Sequence, residues 1–162
     1  MTTLWVLIAQ IMASTTMAAI AWFVQLVHYP LFALLQSSGS KTAEVAGMSR
    51  AEARDYHDEN LRRTRPLVLF PMVVEATSAA WLAFFPQAAV GRGAAIAGLS
   101  LVAIVVLSTA LVQVPLHESL RCGDAPVDTV PRLVRSTRIR TAAWTARAIL
   151  AAWMIHATAV AG

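Results

Sequence analysis

Charge is scarce in this chain: 14% of its 162 residues are Asp, Glu, Lys or Arg, against 57% hydrophobic residues and a mean hydropathy of +0.61. A soluble globular domain carries close to twice that share of charge, so a water-exposed surface on all sides is excluded. Cysteine occurs once, at Cys122, which excludes an intrachain disulfide and leaves the redox compartment open. Nothing before Trp5 is charged, and the apolar stretch that follows far exceeds the roughly 7 to 15 residues of a signal-peptide core, so the first segment is expected to be retained. No linker is long enough to set off a second domain, and no sequence repeat, low-complexity tract or heptad pattern stands out.

What is present is length in the apolar runs. Residues 4–33, 66–86, 93–116 and 139–160 each approach or exceed the roughly 20 apolar residues needed to cross a ~30 Å hydrocarbon core. The expected fold is all-α: an integral membrane antiparallel four-helix bundle, one transmembrane domain over residues 1–162. A short polar helix from Arg50 to Arg65 is expected before the second span, begun by a capping box of Ser49 and Glu52. Proline at Pro66 either starts the next helix or kinks a continuous one, and Pro71 adds a second irregularity. The short turn around Gly91, Arg92 and Gly93 makes the second and third spans antiparallel neighbours. Alanines of the fourth span and Gly93 and Gly98 of the third allow the close approach on which packing in lipid depends.

The net charge of +4 is placed unevenly. The side holding the N-terminus and the loop of residues 87–92 carries Arg92 alone, whereas the other side carries Lys41, Arg50, Arg54, Arg62, Arg63, Arg65, Arg121, Arg132, Arg135, Arg138 and Arg140. Basic residues concentrate on the cytoplasmic side of membrane proteins, so the N-terminus is expected outside the bacterial cytoplasmic membrane and the site facing the cytosol. Lipid head groups, and not nucleic acid, are the expected counter-charge.

Polar residues inside the spans carry the functional expectation. Glu75 and Arg147 fall at one depth, each roughly 12 to 13 Å below the cytoplasmic surface at ~1.5 Å rise per residue. An unpaired charge there is costly, so they are expected to pair, either as part of a catalytic site or as a structural lock between two helices. Thr109, Gln113 and His117 form a polar stripe on the third span, and Ser14, Ala18, Ala21, Gln25 and His28 a comparable face on the first. Together these suggest a polar funnel open to the cytosol, with Glu75, Arg147 and Gln113 catalytic. Gln10, Ser14, Thr15, Thr77, Ser78 and His156 fall in the opposite half.

His28, His57 and His117 are candidate ligands for zinc, iron or copper, a donor set those metals accept, although the short spacing of a motif such as His-Glu-x-x-His is missing. An alternative makes His28 and His117 the axial ligands of a haem whose propionates meet Arg138, Arg140 or Arg147. Arg140 and Gln25 are the expected cofactor-binding residues.

The phrase from His28 to Phe32 (HYPLF), the run from His57 to Glu75 (HDENLRRTRPLVLFPMVVE) and the segment from Arg138 to Arg147 (RIRTAAWTAR) resemble small bacterial four-helix membrane proteins and, distantly, the anthrone-oxygenase-like family. That resemblance implies an oxygenase or related redox activity on a hydrophobic aromatic substrate. A metal-dependent membrane enzyme is one expectation. The alternatives are a small transporter or channel subunit with Glu75 as a proton or cation site, and an accessory subunit docking by its alanine-rich faces. Expected partners are membrane lipids, a hydrophobic or amphipathic small molecule and further copies of the chain.

Overall fold

The computed structural model describes residues 2–28, 50–122 and 129–161, and every secondary-structure element among them is helical. In chain order they are α1 (Thr2–Phe23), a π-helical turn (Val24–His28), α2 (Arg50–Phe84), α3 (Arg92–Ser108), a second π-helical turn (Thr109–Gln113), α4 (Val114–Cys122) and α5 (Thr129–Ala161). Three stretches are long and apolar enough to cross a membrane: Thr2–Val27, Arg62–Phe84 and Arg92–Ser119. The apolar part of α5 is not among them, because Arg147 and His156 interrupt it.

Of the two alternatives at Pro66 the structure has the continuous one: the polar helix and the second span are one helix of 35 residues that runs through Pro66 and Pro71. Each proline withholds one backbone donor, but neighbouring turns and the packing of the buried face keep the element whole. Ser49 of the expected capping box lies outside the described residues.

Proline does shape the end of α3. The Val114 N–H reaches back five residues to the Thr109 carbonyl, a wide turn placed immediately before Pro115. A proline ring crowds the carbonyl four residues earlier and offers it no hydrogen, and widening the helix relieves both defects.

The helices pack antiparallel in sequence order. Thr3 Oγ1 donates to Gln87 Oε1 at 3.0 Å, tying the start of α1 to the turn after α2. At the other end Trp22 Nε1 donates to Thr145 Oγ1 at 3.1 Å, joining α1 to α5. Buried side chains stack in layers along the bundle. Leu7, Leu82, Val90, Ala95 and Met154 form one apolar layer, Met17, Ala21, Val105, Ala143 and Trp144 a second, and Leu116 with Leu133 a third near the arginine-rich end.

Candidate functional site

Two polar levels lie between these apolar layers. The deeper one draws on four helices. Arg147 Nε on α5 donates to Glu75 Oε2 on α2 at 3.0 Å, with side chains 1% and 0% exposed. Ser14 on α1 lies against the same carboxylate, while its hydroxyl donates to the Gln10 carbonyl one turn away at 2.7 Å. On α3, Gly98 meets the guanidinium: a Cβ there would stand 3.0 Å from Arg147 Nη1 and 3.2 Å from Cζ. A methyl there is tighter than ordinary packing, so the guanidinium would have to give by a few tenths of an ångström.

Several buried atoms of that level have no partner among the described residues: Glu75 Oε1, Arg147 Nη1 and both amide atoms of Gln10, which is itself fully buried. Trp144 Nε1, in the neighbouring apolar layer, is in the same condition. Each unsatisfied buried polar group costs roughly 1 to 3 kcal/mol, and native interiors hold few. Four such atoms gather around this one ion pair.

The second polar level centres on Gln113. Gln113 Nε2 donates to Ser136 Oγ at 2.9 Å and to Thr137 Oγ1 at 2.8 Å, and its Oε1 accepts from Arg140 Nη1 at 2.7 Å. Both hydroxyls pass their own hydrogens to the Leu133 carbonyl, each at 3.0 Å. Gln113 is thus saturated by α5, which fits a structural clasp better than a reacting group. Gln25 sits half-buried in the first π-turn, with its side-chain Oε1 buried and without a partner among the described residues.

The expected residues therefore separate. Glu75 meets Arg147, and Gln113 meets Arg140, but the two pairs do not form one funnel: the apolar layer of Met17, Ala21, Val105, Ala143 and Trp144 lies between them. His117 is half-buried at the arginine-rich end, and the side chains of His28 and His57 lie outside the described residues. No group of three or more His, Cys, Asp or Glu able to hold a metal occurs among the described residues. His156 is exposed on α5, away from both levels.

Gln10 and Gly98 join the site without having been candidates for it, and Ser14, a member of the polar face of the first span, lies deeper than the funnel's mouth. The available signal was the i, i+4 spacing of Gln10 and Ser14 on the face that also carries Met17 and Ala21. Outside the bundle, a groove of about 580 Å³ runs along the seam of α1 and α2, lined by Trp5, Val6, Ala9, Val74, Ser78 and Trp81 among others. Ala9 and Val74 directly precede Gln10 and Glu75, so the groove flanks the deeper polar level.

No family model, curated protein or solved structure matches the chain.

Proposed function

We propose that the chain is an integral membrane protein, an antiparallel four-helix bundle of α1, α2, α3 and α5 with its arginine-rich end in the cytoplasm. We further propose that the Glu75 and Arg147 level binds the polar group of a hydrophobic or amphipathic small molecule. Large apolar side chains such as Trp5, Phe23, Phe70, Phe84, Leu111 and Ile149 point outward, a surface that suits lipid. The fourth span completes the bundle despite Arg147, because the guanidinium is paired inside and not exposed to lipid.

The observation that carries the binding reading is the set of unpartnered buried atoms around the ion pair. Arg147 Nη1 supplies a charge-assisted donor, Glu75 Oε1 an acceptor able to take a proton, and Gln10 one donor and one acceptor. The groove between α1 and α2 offers the apolar part of such a molecule a place beside this level, reached from the bilayer. Proton exchange between the bound group and Glu75 is the chemistry the site can perform. A metal- or haem-dependent redox activity would draw on His28, His57 and His117, and the side chains of His28 and His57 lie outside the described residues.

The test is native mass spectrometry of protein purified in mild detergent. A small molecule retained by the parent and depleted about tenfold or more in Arg147→Lys and Gln10→Leu is the expected result. Identical bound species in parent and variants would overturn the reading.

A second reading, a purely structural lock, is favoured by the Gly98 seat, which fixes the guanidinium as a packing element. It predicts that Glu75→Leu combined with Arg147→Leu folds as well as the parent and retains the same bound species.

A further inference from the structure

The two π-turns reveal a repetition that the apolar spans conceal. The first ends at His28, two residues before Pro30, and the second ends at Gln113, two residues before Pro115. Around them the sequence reads Leu26-Val27-His28-Tyr29-Pro30-Leu31 and Leu111-Val112-Gln113-Val114-Pro115-Leu116, each residue 85 positions from its counterpart. The same spacing relates the buried face of α1 to that of α3: Gln10 to Ala95, Ala13 to Gly98 and Met17 to Val102, all buried.

A second constant spacing, of 72 residues, relates α2 to α5. It pairs Pro71 with Ala143, Glu75 with Arg147, Ala79 with Ala151 and Leu82 with Met154, again all buried. Within one regular helix a shared burial pattern is weak, since any two amphipathic helices can be slid into register. Here the register of α1 and α3 is set independently by the two π-turns, and the contact between Glu75 and Arg147 fixes the level at which α2 and α5 are compared.

We propose that the chain is a tandem duplication of one helical hairpin, α1–α2 and α3–α5, packed about a pseudo-two-fold axis on which the equivalent residues Glu75 and Arg147 meet. At a two-fold axis a position contacts its own counterpart, so a symmetric ancestor would place like against like there. Two fused copies can diverge, and a carboxylate opposite a guanidinium removes the repulsion. Ala13 and Gly98 are then matching seats, and the missing Cβ at Gly98 decides which half carries the arginine. Four of the seven equivalent pairs stay apolar in both halves. The three that differ in kind, 10 with 95, 13 with 98 and 75 with 147, include Gln10, Gly98, Glu75 and Arg147 of the deeper polar level, the place where the halves have specialised.

Charge exchange in the full-length chain tests this. Glu75→Arg or Arg147→Glu alone puts like charges on the axis and is expected to lower the folded, monodisperse fraction in detergent on the order of tenfold or more. Exchanging both residues restores part of it. Adding Ala13→Gly and Gly98→Ala, which moves the seat to the other half, restores the fraction to within about threefold of the parent. If the seats add nothing to the exchange, or if the single variants fold normally, the proposal falls.

Crosslinking provides a measurement independent of how the core tolerates substitution. The contact of Trp22 with Thr145 maps through the two spacings onto Leu107 and Val73. In a Cys122→Ser background in membranes, the pairs Trp22→Cys with Thr145→Cys and Leu107→Cys with Val73→Cys are expected to react with a short thiol crosslinker in comparable yield. A yield for the second pair no higher than for a pair offset by one helical turn contradicts the axis.

Discussion

Arg147 shows how much of this molecule depends on single contacts. Its guanidinium is buried against one carboxylate oxygen and one glycine. Arg147→Leu leaves Glu75 ionisable and alone, and breaking a buried pair from one side costs about 3 to 5 kcal/mol. Removing both charges as Glu75→Leu with Arg147→Leu restores most of that stability, since neither residue is left uncompensated. Denaturant unfolding in detergent micelles distinguishes the two outcomes, and equal stability of the single and double variants would show that the pair does not couple.

Gly98 makes a narrower prediction at the same scale. A methyl group 3.0 Å from Nη1 forces the guanidinium to shift, and because Arg147 is locked by Glu75 the shift is not free. Gly98→Ala is expected to cost about 1 to 3 kcal/mol, the usual range for overpacking. The companion change Gly93→Ala, at a position where a Cβ meets nothing within 4 Å, is expected to leave stability within about 0.5 kcal/mol, the range of ordinary surface substitutions. A similar loss from both would remove the seat from the explanation.

Among elements, α2 changes character along its length, and its polar start answers to pH. Glu59 accepts from Arg62 Nε at 2.7 Å and from Arg63 Nε at 2.6 Å. The two guanidiniums, Arg62 foremost, hold its carboxyl below the ordinary value of 4.5. A carboxyl lowered in the folded state stabilises that state fully above its unfolded pKa, and the effect is lost as pH falls through the lower folded value. Being exposed, the cluster acts locally and weakly. Amide exchange at residues 59–63 is therefore expected to quicken as pH drops below about 4.5, beyond the intrinsic pH dependence of exchange and more than in Glu59→Gln. Matching profiles in parent and variant would remove the cluster from the account.

The elements also show what was legible in the sequence and what was not. Three stretches able to span a membrane are visible as runs of apolar residues, and Glu75 with Arg147 could be paired by depth alone because lipid makes an unpaired charge costly. Depth counting is one-dimensional, however. It cannot see that Met17, Val105 and Trp144 close the bundle between the two polar levels, or that Gln10 turns inward, because both depend on rotation about the helix axis. The π-turns shift that rotation just where α-helical spacing would align Thr109, Gln113 and His117 in one stripe. Gln113 nevertheless found Arg140, since a wide turn of five residues changes azimuth more than depth.

For the whole molecule, the decisive asymmetry is that of its ends. Described arginines at the end holding residues 85–92 reduce to Arg92, while Arg62, Arg63, Arg65, Arg132, Arg135 and Arg138 lie exposed at the other. An uneven distribution of this kind orients a bundle during insertion, because arginine is translocated reluctantly. In intact cells with Cys122→Ser as background, a cysteine at Ala88 is expected to react with a membrane-impermeant thiol reagent, and one at Arg138 only after the membrane is opened. Adding basic residues to the turn at Gln87 and Ala88 while changing Arg135 and Arg138 to Gln should weaken or invert that pattern. An unchanged labelling pattern would mean that the charges do not set orientation and that helix packing at the Glu75 and Arg147 level does.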